Sequence, residues 1–338
     1  MSKSKFGRLV LVRHGQSIWN VDDVTRGLVT RFTGWADVEL TDRGISQAIA
    51  AGQCLKHYNI VPDIVFTSLL QRSKKTYDEM AKDIENRSTP VISSWRLNER
   101  HYGKLVGLSK QQASETMNTQ HLIEWRRSWT AAPPPVSNAE LSRFGNTECS
   151  SPLTIISEQG TRSVRVVEKG IVLPETESLK DCAERVIPIW TNGIVPRLLK
   201  GETVLVVAHA NSIRAIVKSV DCISDANIRD IFIPSATPLL YKFLIPDAAA
   251  SPSSSSSKQQ GARLQPHGNP TALGMTGRYM TTPALLQLLP RFKDTANQQA
   301  WLDSEFSAMK AAHAIEEVGD GSDNHSCLDD GHVDASHV

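Results

Sequence analysis

The chain has 338 residues, 40% of them hydrophobic and 22% charged. That is ordinary globular composition with room for one large domain or two smaller ones. Lys and Arg number 37 against 36 Asp and Glu, a net charge of +1, which speaks against a protein made to coat nucleic acid, and no apolar run is long enough for a membrane-spanning helix. The apolar run Leu9–Val12 is too short for a secretory signal, and five scattered cysteines without C-x-x-C spacing read as thiols in a reducing compartment. A cytoplasmic place without membrane or nucleic-acid partners is therefore expected.

Charge is segregated along the chain. Residues 1–245 carry a net +6 and residues 246–338 a net −5, so the first part is the one suited to an anionic ligand. The Ser-rich stretch 247–262 reads as a linker or an insertion. Residues 290–338 are acidic and read as a disordered tail. Its histidines, among them His313 and His325, are scattered and read as solvated rather than as metal ligands.

In chain order, Arg8–Val12 (RLVLV) reads as a strand covered on both faces. Thr41–His57 follows as a helix, with Ile45, Ala48, Ile49, Gly52 and Leu55 on one stripe. Asp63–Thr67 is a second strand. Ser68 is placed to cap the next helix, whose buried face holds Leu70, Ser73, Tyr77, Met80 and Ile84. Pro90–Ser93 is a short strand. Ser178–Lys200 reads as a helix broken at Pro188 and Pro196 and ended by Gly201. Thr203–Ala208 (TVLVVA) is a strong strand signal, Ser212–Val220 a helix and Pro238–Ile245 a strand. Strands alternating with helices predict a three-layer α/β/α fold with a mainly parallel central sheet.

In such a sheet the ligand crevice lies beyond the carboxyl ends of the strands. Two strands here end in histidine: LVLV runs into Arg13-His14-Gly15, and TVLVVA into His209-Ala210-Asn211. The two imidazoles can meet at one end of the sheet. A neutral imidazole is a competent nucleophile toward phosphorus, and Arg13 can neutralise phosphoryl charge. Arg72 follows a strand in Thr67–Ser73 and can clamp phosphoryl oxygens. Glu99, in WRLNERHYG, can serve as a general acid and base. Arg126 and Arg127 lie on a helical segment as a helix edge or as ligands for a second anion. His209 can donate to a phosphoryl group in transfer.

These segments resemble cofactor-dependent phosphoglycerate mutase, in the histidine phosphatase superfamily. The resemblance rests on LVRHGQSIWN (11–20), RFTGWADVELTDRG (31–44), FTSLLQRSKKT (66–76), WRLNERHYGKLVGLSK (95–110), EWRRSW (124–129), ETESLKDCAERVIPIW (175–190), VLVVAHANSIRAIVK (204–218) and IPSATPLLYKF (233–243). It implies that His14 is the phosphohistidine nucleophile, that Arg13, Arg72 and His209 hold the phosphoryl group, and that Glu99 moves the proton. Asn20, Thr33, Gly34, Arg100, His101, Tyr102, Lys110, Arg126, Arg127, Ala210 and Asn211 would line the substrate site. It further implies interconversion of 3- and 2-phosphoglycerate by way of 2,3-bisphosphoglycerate, which primes His14. No metal, phosphoglycerates as small-molecule partners, and a homodimer or homotetramer complete the expectation.

The chain departs from the family pattern at three places. The connection Val21–Thr30 is longer than usual, beside the substrate segment. Ala210 stands where the family has glycine, and would be strained if the backbone there required positive φ. Residues 136–173 match poorly. Gly277–Pro283 resembles the family's closing strand, which predicts a catalytic domain over 1–289. A histidine phosphatase acting on bisphosphoglycerate is the alternative enzyme, and a non-catalytic interaction protein a third reading.

Overall fold

The computed structural model describes residues 6–22, 25, 28–84, 89–137, 140, 152–157, 164–245, 264, 266–267 and 275–288, with the side chain of Arg127 excepted. The chain divides into a unit Met1–Arg291 and a unit Phe292–Val338. The Ser-rich stretch 247–262 and the acidic tail 290–338 lie outside the described residues.

The strands are β1 (Phe6–Arg13), β2 (Ile64–Thr67), β3 (Val91–Ser94), β4 (Leu153–Ser157), β5 (Val164–Val167), β6 (Thr203–Ala208), β7 (Leu239–Leu244), β8 (Pro266–His267) and β9 (Arg278–Tyr279). They form one sheet in the order β5-β4-β3-β2-β6-β1-β7-β8, with β9 also on β7. The centre, β3-β2-β6-β1, is parallel. The flanking pairs β3–β4, β4–β5, β1–β7, β7–β8 and β7–β9 are antiparallel. The parallel expectation holds for the strands that carry the site. The poorly matching residues 136–173 contribute the antiparallel edge.

The helices are α1 (Asp42–His57), α2 (Gln71–Ala81), α3 (Lys110–Thr116), α4 (Thr119–Arg127), α5 (Leu179–Ile189), α6 (Val195–Leu198), α7 (Ala210–Asp221) and α8 (Pro283–Leu288). Alternate residues of the central strands serve two layers. Val10, Val12, Val65, Leu205 and Val207 pack with Ala48, Ala51, Leu55 and Met80 of α1 and α2. Phe66 points the other way, its ring against Gly193 in the turn after α5. A strand covered on both faces has no polar side to show, which is why β1 and β6 read as continuous apolar runs.

The α1 stripe differs from expectation. Its buried face is Gly44, Gln47, Ala48, Ala51, Gly52, Cys54 and Leu55, among others, while Ile45 and Ile49 lie at its half-buried margin. The small residues face inward because backbone approaches backbone: a Cβ on Gly44 would meet Gln16 O at 2.0 Å, and one on Gly52 would meet Met80 O at 2.5 Å. On α2 all five expected residues are buried. Ser68 does not cap it, however: the N-cap is Leu70, without a side-chain bond. Ser178 caps α5 with a capping box, and Pro188 lies within that helix. A π-turn, Trp190–Ile194, follows, and α6 begins with Pro196 in its first turn.

Candidate active site

Strand register builds the site. Arg13 pairs with Ala208 across β1 and β6, and the His14 N–H donates to Ala208 O at 2.9 Å. The next residues, His14 and His209, are thus neighbours, with ring centroids 4.9 Å apart. Thr67 pairs with Val207, which brings Ser68 level with them. Its Oγ lies 2.7 Å from His209 Nε2. The Ser68 hydroxyl links the site to the helix start, since it also accepts from Leu70 N at 3.1 Å and lies 2.6 Å from Ser73 Oγ.

The turn after β1 is held tightly. Gly15 N–H donates to Thr76 Oγ1 at 3.0 Å, and a Cβ on Gly15 would lie 2.3 Å from Gly44 O. His14 Nδ1 lies 2.7 Å from Gly15 O. A carbonyl only accepts, so Nδ1 carries the proton and Nε2 keeps its lone pair. Burial, then Arg72, then Arg13 hold the His14 pKa well below its usual value. Burial, Arg72, His14 and Arg13 do the same to His209. Both imidazoles are neutral, as a nucleophile at nitrogen requires.

The surrounding cations are fixed. Arg72, 1% exposed, donates to Ala36 O and Gly34 O at 2.8 Å each. Gly34 has φ +49°, and a Cβ there would press on Tyr102 N and Val106 at 3.2 Å. The FTGW segment therefore orients Arg72 and packs on the ERHYG loop together. Arg13 donates to Ile233 O at 3.1 Å, and its own carbonyl accepts from Ala236 N at 2.8 Å. Arg100 donates to Trp125 O at 2.9 Å and lies over the Tyr102 ring at 4.5 Å. Glu99 Oε1 accepts from Arg100 N at 2.7 Å and from Asn211 N at 3.2 Å.

Arg13 Nε, Arg100 Nε and His209 Nδ1 are buried without a hydrogen-bond partner. Buried polar atoms are nearly always satisfied, and the two guanidinium Nε atoms are donors in any state, so they suit an anionic group. Two histidines, several guanidiniums and one carboxylate in one cluster suit phosphoryl transfer.

Residues 9–146 match the model of the histidine phosphatase superfamily, branch 1. A 2,3-bisphosphoglycerate-dependent phosphoglycerate mutase of Staphylococcus saprophyticus is 41% identical over 235 residues, 70% of this chain and 93% of that one. The protein of the same name from Corynebacterium diphtheriae is 39% identical over 242 residues, 70% of this chain and 86% of that one. The chain belongs to this phosphoglycerate mutase family of the histidine phosphatase superfamily. A solved structure described as mycobacterial hydrolase 2 has a TM-score of 0.51 and 19% identity, over 84% of this chain and 97% of that one. It shares the histidine phosphatase fold.

The remaining expected site residues of this mutase-family chain fall into two groups. Tyr102 and Asn211 join the cluster, linked by Asn211 Nδ2 donating to Tyr102 Oη at 3.1 Å. Thr33 is buried beside Gly34. Asn20 accepts from Ser17 Oγ at 2.7 Å. His101 lies behind Glu99, 5.2 Å from the Trp35 ring. Its Nδ1 accepts from Gly103 N, and burial with Arg185 lowers its pKa to about 3. Lys110 and Arg126 are exposed, on α3 and α4, and no bond ties them to the cluster. The Arg127 side chain lies outside the described residues. Ala210 is the first residue of α7, with His209 as N-cap. The described non-glycine residues with positive φ are Asn59, Cys222 and Ala236, so the strain considered for Ala210 is absent: a helix start uses ordinary right-handed backbone.

Residue-by-residue reading of motifs missed the support beneath Glu99. Arg185 is buried and donates to Glu177 Oε1 at 2.6 Å and Oε2 at 2.8 Å. It also donates to the carbonyls of Trp95, Arg96, Asn98 and Glu99. Glu177 Oε2 accepts from His101 N at 2.8 Å. The loop 95–101 is folded around one guanidinium. Glu177 and Arg185 are eight positions apart, flanking the start of α5, but nothing in their spacing announces burial.

Proposed function

We propose that this enzyme interconverts 3-phosphoglycerate and 2-phosphoglycerate through a phosphorylated His14, as a step of glycolysis and gluconeogenesis. The observation that carries the reading is the second cationic end of the site. Arg100 is buried beside Tyr102 and Glu99, with an Nε that lacks a protein partner. A phosphatase of simple monoesters needs only the end around His14, whereas a phosphoglycerate has an anion at each end of a short carbon chain; a bisphosphoglycerate phosphatase would use both ends too, and the assay below separates it from the mutase. On this reading Arg13 serves one end of 2,3-bisphosphoglycerate and Arg100 the other. When bound there, this cofactor supplies the phosphoryl group that primes His14.

The chain's own groups then have defined tasks. His14 Nε2 attacks phosphorus, forming the N–P bond as the P–O bond to the departing oxygen breaks. Arg13 and Arg72 stay fixed and balance the charge spread over the phosphoryl oxygens. The Glu99 carboxyl gives its proton to the departing oxygen. In the return step the Glu99 carboxylate takes the proton of the attacking hydroxyl, and the N–P bond breaks. The backbone N–H groups of Arg100 and Asn211 hold the carboxylate in place for both. Phosphoglycerates are the small-molecule partners on this reading, and no metal is required.

A coupled assay on 3-phosphoglycerate tests it, with and without 2,3-bisphosphoglycerate, in EDTA, beside His14→Ala. Isomerisation that persists in EDTA, rises with bisphosphoglycerate and is lost in H14A is the expected result. His14-dependent release of inorganic phosphate without isomerisation would replace the mutase reading with a phosphatase.

A further inference from the structure

The hydrogen bonds around Asn211 determine the direction of one hydroxyl proton. Arg214, one turn further along α7, donates Nη1 to Asn211 Oδ1 at 3.0 Å. A guanidinium has donors only, so the atom facing it is the carboxamide oxygen and the orientation of the amide is chemically fixed. Its nitrogen faces the other way and donates to Tyr102 Oη at 3.1 Å. The phenol oxygen is the acceptor in that bond, and its own proton remains for another acceptor. Arg214 is itself anchored, with Nε donating to Ile231 O at 2.7 Å. The tyrosine so oriented lies among the groups that frame the ligand: the Arg100 guanidinium covers its ring, and Arg13 and Arg214 both feel its hydroxyl.

We propose that Arg214 is a positioning residue: it orients the Asn211 carboxamide so that Tyr102 is a hydrogen-bond donor toward an anionic oxygen of the bound phosphoglycerate. The inference rests on the function proposed above. It separates two tasks of Arg214. Its charge favours any anion nearby, whatever the state of Tyr102. Its hydrogen bond acts only through Asn211 and the phenol.

Calorimetric titration of the full chain with 3-phosphoglycerate tests this, with Tyr102→Phe measured in three backgrounds. In the wild type, Y102F removes one hydrogen bond to a charged acceptor and weakens binding roughly tenfold. In Arg214→Met the carboxamide is released, and the Y102F factor falls to about twofold or less. In Asn211→Asp, which keeps the side-chain shape, one carboxylate oxygen accepts from Arg214 and the other accepts the phenol proton. The hydroxyl is then turned inward, and the Y102F factor again falls to about twofold or less. A Y102F factor that stays near tenfold in N211D and R214M overturns the inference. Arg214 would then act as a charge or a loop anchor alone. If R214M does not fold, Arg214→Lys carries the decision: its single ammonium keeps the charge and can hold Ile231 O but not Asn211 Oδ1 as well, so the Y102F factor falls under the inference and stays near tenfold against it. A wild type that does not bind 3-phosphoglycerate overturns the functional reading instead, before any background is compared.

Discussion

Replacing Arg185 with Met should be among the most destabilising single changes in this domain. The guanidinium is buried and makes two bonds to Glu177, at 2.6 and 2.8 Å. Breaking a buried pair from one side costs about 3–5 kcal/mol, because the partner charge stays buried. Four carbonyls lose a donor as well. Trp95 O keeps the Asn98 N–H and Glu99 O keeps Trp35 Nε1, so the added loss is small, at about 1 kcal/mol. The sum is about 4–6 kcal/mol, or a fall in Tm of roughly 10–20 °C for a domain of this size. Urea unfolding of the full chain, followed by circular dichroism, measures it. Adding Glu177→Leu removes the stranded carboxylate and should return about 2 kcal/mol or more. A loss below about 1 kcal/mol in R185M, or a double variant less stable than R185M, would refute the view that the loop of Glu99 is folded around this ion pair.

Other expectations are more local. His14, His101 and His209 all have folded pKa values below the ordinary one, chiefly through burial. Below about pH 6.5 the unfolded chain therefore binds more protons than the folded one, so stability is full above that pH and falls as acid is added, each histidine contributing up to about 1.4 kcal/mol per pH unit. Urea midpoints measured from neutral pH to about pH 5 should show this slope, and a flat profile would contradict it. Gly44→Ala puts a Cβ 2.0 Å from Gln16 O. It should cost about 1–3 kcal/mol and lower turnover too, since the strained backbone adjoins His14-Gly15. Melting and activity of G44A, each unchanged, would show that the turn has slack. Cys222 is exposed and ends α7 with φ +52°, so Cys222→Gly should raise stability by about 1 kcal/mol, read by urea unfolding.

What the sequence revealed follows the length of its physical signals. β1 and β6 were legible because burial on both faces forces continuous apolar runs, and their ends placed His14 beside His209 without any contact being known. The start of α5 at Ser178 and the prolines of α5 and α6 were legible because each acts within one turn. Ser68 was read as a cap because its neighbours in sequence suggested one. Its hydroxyl does meet Leu70 N and Ser73 nearby, but its partner in the site, His209, is 141 positions away, and no local pattern encodes that distance. The α1 stripe was rotated for a related reason: hydrophobicity scales count Ile45 and Ile49, while the packing selects glycine and alanine so that backbones can touch. Arg126 matched a motif, yet its exposure on α4 leaves it apart from the cluster in this conformation.

The charge arrangement ties these observations together. Arg185 has its own carboxylate, and together they form a closed structural unit. Arg13 and Arg214 both face Glu99, and Glu99 is already engaged by two backbone N–H groups. Cations gathered without matching carboxylates repel one another in a medium of low polarity. The fold tolerates this because carbonyls of Gly34, Ala36, Trp125, Ile231 and Ile233 hold the guanidiniums in place. A carbonyl dipole fixes a guanidinium without cancelling its charge, whereas a carboxylate would do both and leave less attraction for substrate. The same positioning by dipoles leaves Nε of Arg13 and Arg100 unsatisfied. On the function proposed above, unsatisfied donors cost stability, and an anion that reaches both guanidiniums would recover that cost on binding.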